Sequence, residues 1–117
     1  MTTLYGIKNC DSVKKAQQYL TQRDQVFSFH DFRADGIDTA LVRCFLDQLG
    51  LDKVINKRST TWKQLDEHSK TNLNQDSAIA LCLEHPTLIK RPVLEHNGQY
   101  YIGFKANDYA AIFAHAL

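Results

Sequence analysis

The spacing of hydrophobic and polar positions changes period twice within the first 32 residues. The run "TTLYGI" is rich in β-branched and aromatic residues and ends in the turn-prone "KNC", which predicts a short strand. From Asp11 or Ser12, a candidate N-cap, the apolar residues follow a helical period. The stretch "QVFSFHDF" (25–32) alternates again and predicts a second strand. One crossover helix between two strands is typical of a right-handed parallel β-α-β unit.

Residues 38–85 carry helical patterns almost throughout, so we expect an all-helical block. Asp38 is a candidate N-cap, and Gly50 is placed to end the helix that follows. Within "TTWKQL", Thr61 and Gln64 have the spacing of a capping box, which predicts the start of another short helix.

Strand character returns in "PVLEHNGQYYIGF", where two apolar stretches flank a strong hairpin signal, Asn97-Gly98. A last helix is predicted from Asn107 or Asp108 to Leu117. The order is therefore β-α-β, helices, then β-β-α.

This order of elements predicts an α/β thioredoxin-like fold with a mixed four-stranded sheet and an inserted helical subdomain. The length of 117 residues favours a single domain. We place the thioredoxin-like core at 1–35 and 87–117, and the helical insertion at 36–86.

Charge, hydropathy and motifs give no sign of several classes of function. Fourteen basic and 13 acidic side chains leave a net charge of +1, so nothing in the balance indicates direct nucleic-acid or membrane binding. No segment reaches the roughly 18 apolar residues that span a bilayer, and the first residues lack signal-peptide character. We therefore expect a cytoplasmic protein.

The five histidines show no metal-site spacing, and no phosphate-loop or dinucleotide motif is present, so we expect no metal and no bound cofactor.

The three cysteines, Cys10, Cys44 and Cys82, are odd in number and far apart along the chain. They form neither a disulfide framework nor a CxxC pair, and in a reducing compartment we expect thiols. Cys44 and Cys82 each lie beside the apolar stripe of a predicted helix, where free cysteine is commonly buried.

Cys10 lies where the first strand passes into the first helix. Unpaired N–H groups and the positive end of the helix dipole at such a place favour the thiolate, which is the reactive form of cysteine. Lys8, Lys14 and Lys15 add positive charge, whereas Asp11 opposes it. We expect a partly ionised, solvent-accessible thiolate. The alternative is that Cys10 is only a small residue filling the strand–helix junction.

Two basic segments are candidates for holding a substrate of Cys10. Arg91 and Pro92 precede the third strand, where proline fits a strand start or a cis turn and arginine suits a carboxylate or an oxyanion. Lys57 and Arg58 precede a predicted helix and form a second possible anion site. A surface arginine and a solvated basic loop are the alternatives.

Three motifs resemble one family. "YGIKNCDSVKKA", "RSTTWKQL" and "LEHPTLIKRP", in this order and spacing, are similar to the arsenate reductase-like (ArsC) family of the thioredoxin superfamily. The resemblance is strongest to its YffB-type branch, which is related to the Spx-type regulators, and it covers essentially the whole chain. It implies a thioredoxin fold with a helical insertion.

The resemblance also implies roles for particular residues. In glutaredoxin-dependent members the first-loop cysteine attacks arsenate and glutathione takes the product; Cys10 matches that cysteine. Arg91 matches an arginine that binds the oxyanion, and Pro92 matches the adjoining cis-proline. A second family arginine precedes the "WxxL" helix; Arg58 is the nearest candidate, whereas an ungapped match places Asn56 there.

A third family arginine is replaced here by Phe104 or Lys105, and neither supplies a bidentate fork. The resemblance therefore implies a glutathione-dependent thiol reductase, with glutathione as co-substrate, glutaredoxin as a further partner, and an oxidised thiol or an oxyanion as substrate. A regulator of the Spx type, which binds RNA polymerase and senses oxidants through a CxxC, and a true glutaredoxin-coupled arsenate reductase are the alternatives. Position 13 is valine, so that CxxC is absent. The residues expected to bind substrate or glutathione are Arg91, Arg58, Lys8, Asn9 and Pro92.

Overall fold

A computed structural model describes residues 1–114 of the chain. They divide into two compact units, one formed by 1–31 with 91–114 and the other by 32–90. The end of the predicted last helix, residues 115–117, lies outside the described residues.

The first unit contains a mixed four-stranded sheet with the strand order β2-β1-β3-β4. Its elements are β1 (Thr2–Gly6), α1 (Asp11–Gln22), β2 (Ser28–Asp31), β3 (Val93–His96), β4 (Gln99–Ile102) and α7 (Ala106–Phe113). β1 pairs in parallel with β2 and antiparallel with β3, and β4 is antiparallel to β3. The predicted thioredoxin-like α/β fold class is confirmed.

The core of this unit joins the sheet to α1 and α7. The two central strands each contribute a leucine, and the helices contribute small, aliphatic and aromatic side chains at helical spacing. The buried members are Leu4, Ala16, Tyr19, Leu20, Leu94, Tyr109 and Phe113. Because both helices bury one face against the sheet, their first residues are fixed relative to the strand ends.

Local turn chemistry explains how the strands are connected. Asn97 and Gly98, at the tip of the predicted β3–β4 hairpin, both have positive φ angles (51° and 82°), as a two-residue turn of this kind requires. β2 is shorter than the predicted stretch 25–32. Residues 25–27 of that stretch precede the pairing with β1, which begins at Ser28, and Val26 is 91% exposed.

The second unit is helical, as expected for the insertion. Its elements are α2 (Thr39–Leu49), α3 (Leu51–Val54), α4 (Thr60–Gln64), α5 (Glu67–Thr71), α6 (Gln75–Glu84) and a 3-10 turn (Pro86–Leu88). The predicted Asp38 cap is present, and its carboxylate accepts the N–H of Leu41 at 2.8 Å. An isolated antiparallel β-bridge pairs Ile55, after α3, with Ile89, after the 3-10 turn.

The predicted capping box at Thr61 and Gln64 is wrong. The N-cap of α4 lies two residues earlier, at Ser59, whose hydroxyl accepts the N–H of Trp62 at 3.0 Å. The hydroxyl of Thr61 pairs instead with that of Thr87. Within residues 1–114, no helix combines the length and apolar character that crossing a membrane requires.

Candidate active site

Four chain segments leave the sheet of the first unit at the same end. β1 ends at Gly6, which pairs with Asp31, the last residue of β2. β3 begins at Val93, which pairs with Tyr5 of β1 and with Ile102 at the end of β4. This end of the sheet therefore brings together the loop 7–10, Asp31, Arg91–Pro92 and Gly103–Phe104.

Cys10 is the N-cap of α1, where the sequence placed Asp11 or Ser12. Its backbone is extended (φ −121°, ψ 127°), and its carbonyl accepts the N–H of Lys14 at 2.9 Å. The side chain makes no capping hydrogen bond, so the thiol is not used to satisfy the first turn. Cys10 is half-buried. A thiol in this position lies beside N–H groups that have no partner within the helix.

Close packing of α1 against β1 fixes the position of Cys10. A Cβ atom on Gly6 would lie 2.6 Å from Cγ2 of Val13, closer than real side chains approach one another. Val13 is 0% exposed. Glycine at position 6 therefore allows the first turn of α1 to lie against the strand. The position where a CxxC would carry its second cysteine is occupied by a buried aliphatic side chain.

Asp31 also lies at this end of the sheet, and the sequence expectations do not include it. It is 8% exposed, and its Oδ2 accepts the backbone N–H of Lys8 at 3.2 Å. A buried carboxylate costs several kcal/mol unless it is compensated, so one at a strand end is unusual. The signal was available: Asp31 continues the alternation of Phe27 and Phe29, which puts a charged residue at an inward position.

Arg91 precedes β3 across a cis peptide bond to Pro92. Pro92 is fully buried, and its carbonyl accepts the N–H of Gly103 at 2.8 Å. Arg91 is half-buried, and its buried Nε has no hydrogen-bond partner among the described residues. Such a donor is usually satisfied, so the guanidinium retains capacity for an acceptor from outside the chain.

Phe104, which with Lys105 is a candidate for the position of the third family arginine, belongs to the aromatic core. Its ring lies 4.7 Å from that of Tyr109 and 5.8 Å from that of Tyr19, both at edge-to-face angles. Tyr109 is 1% exposed, and burial raises the pKa of its phenol far above the ordinary value. Lys105 is exposed and is the N-cap of α7. This wall of the site is therefore apolar.

The remaining predicted site residues differ in their surroundings. Lys8 and Asn9 are exposed in the turn that precedes Cys10. Arg58 lies in the helical unit, exposed on the turn before α4, and its N–H donates to Oδ1 of Asn56 at 3.1 Å. The side chain of Asn56 thus shapes this turn.

The other two cysteines have different environments. Cys82 is 0% exposed, and burial raises the pKa of its thiol to about 12, so it stays protonated at neutral pH. Cys44 is half-buried on α2, less enclosed than expected for a core residue. Among residues 1–114, no three His, Cys, Asp or Glu side chains cluster as metal ligands would.

Comparison with known proteins agrees with this architecture. The model of the ArsC family matches residues 5–112. An uncharacterized protein from Haemophilus influenzae is 46% identical over 114 residues, which cover 97% of this chain and 100% of that protein. The solved structure of the YFFB (PA3664) protein has a TM-score of 0.90 and 43% identity, covering 95% of this chain and 97% of the other. The global transcriptional regulator Spx of Streptococcus mutans is 28% identical, over 95% of this chain and 82% of the regulator. With the family model spanning most of its length, the chain belongs to the ArsC family.

Proposed function

We propose that the chain is a thiol oxidoreductase that uses one nucleophilic cysteine, Cys10, and an external thiol, glutathione, that resolves the intermediate. The observation that carries this proposal is the place of Cys10 at the N-cap of α1, with a side chain that makes no capping hydrogen bond. Three residues later, Val13 is buried against Gly6. The position where an internal resolving cysteine would lie therefore carries an aliphatic side chain.

The reaction is a pair of thiol–disulfide exchanges. The Cys10 thiolate attacks one sulfur of a disulfide, forms a mixed disulfide with that half, and releases the other half as a thiolate that takes up a proton. A glutathione thiolate then attacks the sulfur of the bound half and regenerates the Cys10 thiolate. One substrate disulfide and one glutathione give one thiol and one glutathione mixed disulfide, so atoms and electrons balance.

Arg91 is assigned the binding of a carboxylate, on glutathione or on the substrate. The proposal is supported by its buried Nε, which lacks a partner among the described residues, and by its place at the sheet end from which the Cys10 loop emerges. Arginine binds carboxylates with two parallel hydrogen bonds, which orients the bound molecule as well as attracting it. The same end of the sheet carries the other residues proposed to bind substrate or glutathione, namely Lys8, Asn9 and Pro92. Arg58 stays a proposed substrate-binding residue.

An organic disulfide suits this site better than arsenate does. A tetrahedral oxyanion needs several convergent donors, whereas Phe104 presents a ring that is packed on Tyr19 and Tyr109. Glutathione is a reductant of the cytoplasm, where structural disulfides are rare. Because the proposed reaction uses glutathione, we propose that the protein is cytoplasmic.

The test is turnover of a mixed disulfide between glutathione and a small thiol, with glutathione in excess. We expect turnover by the wild-type protein and by Cys44→Ser, and none by Cys10→Ser. Equal rates for the wild type and Cys10→Ser would contradict the proposal. Arsenate in place of the disulfide, with glutaredoxin present, tests the arsenate reductase alternative, for which we expect no turnover above background.

A regulatory binding protein is the second candidate, favoured by the 28% identity to a global transcriptional regulator. Such a protein would bind RNA polymerase whether or not Cys10 is present. Recovery of polymerase by both the wild type and Cys10→Ser, without disulfide turnover, would favour this candidate over the enzyme.

A further inference from the structure

The carboxylate of Asp31 occupies a place where burial and charge conflict. Asp31 is 8% exposed, and among the described residues it is the one charged side chain that is buried. It ends β2 directly beside Gly6, at the point where β1 passes into the loop that leads to Cys10. A charged group is retained at such a position when a specific contact compensates its desolvation.

The contact that points to a role is made to the backbone of the Cys10 loop. Oδ2 of Asp31 accepts the N–H of Lys8 at 3.2 Å, across 23 residues of sequence. Lys8 lies in the short turn between β1 and α1, two residues before Cys10. A backbone N–H in such a turn has no ladder or helix partner and needs an acceptor. The loop is thus held at both ends, by Asp31 and by the contact between Gly6 and Val13.

We propose that Asp31 is a positioning residue that holds the turn before Cys10, through the oxygen that accepts the Lys8 N–H, so that the thiol is placed at the N-cap of α1. This inference rests on the proposed function only in taking Cys10 as the reacting group. The required property is the acceptor atom, not the negative charge, since a negative charge opposes formation of a nearby thiolate. Asparagine keeps an acceptor oxygen in nearly the same shape, whereas leucine removes it.

The test compares alkylation of Cys10 by iodoacetamide at neutral pH in Asp31→Asn and Asp31→Leu, with each modified cysteine identified by mass spectrometry. We expect Asp31→Leu to lower the Cys10 rate about tenfold, and Asp31→Asn to stay within about threefold of the wild type. The control is Thr2→Val, which removes the hydrogen bond between Thr2 Oγ1 and His96 Nδ1 at the opposite end of the sheet. It should leave the Cys10 rate unchanged.

An unchanged rate in a folded Asp31→Leu protein would overturn the inference, as would equal losses in the two variants. If Asp31→Leu fails to fold, amide hydrogen exchange of the wild type decides. The Lys8 amide should exchange at least about tenfold more slowly than in an unstructured peptide of the same sequence, and exchange at the peptide rate would overturn the inference. Failure of the proposed function has a different signature, namely no disulfide turnover by the wild type.

Discussion

Substitution of Gly6 by alanine tests the packing that sets the start of α1. The added Cβ would lie 2.6 Å from Cγ2 and 3.2 Å from Cγ1 of Val13. Valine is stiff about χ1 and fully buried here, so its methyl groups have little freedom to move away. Either the helix shifts from the strand or the valine leaves its preferred rotamer.

The expected loss follows from these distances. Overpacking by one carbon costs about 1–3 kcal/mol. Without that contact, alanine would be favoured over glycine in a strand by about 0.5–1 kcal/mol. The sign of the change therefore separates the two explanations. Urea unfolding of Gly6→Ala should show a lower midpoint at an unchanged slope, and alkylation of Cys10 should slow as the helix start shifts.

A double-mutant cycle makes this test specific. Val13→Ala removes the two methyl groups that the new Cβ would meet, so Gly6→Ala with Val13→Ala should lose at least about 1 kcal/mol less than the sum of the single losses. Leu20→Ala, further along α1, is the matched control and should combine additively with Gly6→Ala. A Gly6→Ala protein as stable as the wild type would refute the reasoning.

Three further predictions concern other parts of the chain. Arg91→Ala and Arg91→Lys should each raise the glutathione concentration at half-maximal rate about tenfold, since lysine lacks the arginine fork; an unchanged value for Arg91→Ala would remove its assigned role. Burial first, and the N-terminal ammonium second, lower the pKa of His96, so the unfolded chain binds that proton more readily. The stability tied to His96 is therefore complete above about pH 6.5 and declines as the pH falls below it, and the decline should be smaller in His96→Gln. Ser59→Ala should lower the free energy of unfolding by about 1 kcal/mol through loss of the α4 cap, and by more than Thr61→Ala does.

Features that depend on neighbouring residues were predictable from the sequence. The hairpin at Asn97-Gly98 follows from two residues that accept positive φ, and both have it. The Asp38 cap follows from an aspartate placed just before a helical period. The position of Cys10 at a helix start was equally local, because the change of period occurs there.

Features that depend on long-range contacts were not predictable. Asp31 accepts a hydrogen bond from the Lys8 N–H only because parallel pairing of β1 and β2 brings the two residues together. The cap of α4 was misassigned because Ser59 and Thr61 both carry hydroxyl groups, and a local pattern does not decide which one meets the helix N–H. The helix α5 was not separated from its surroundings, since five residues give too short a period to detect.

Treatment of the native protein with glutathione disulfide, followed by peptide mass spectrometry, tests whether Cys10 is the nucleophile. A single glutathione adduct on Cys10, with Cys44 and Cys82 unmodified and full release by added glutathione, is the result we predict. The matched Cys10→Ser protein should then take up no glutathione. An unmodified Cys10, or an adduct on Cys44 instead, would contradict the assignment of the reacting thiol.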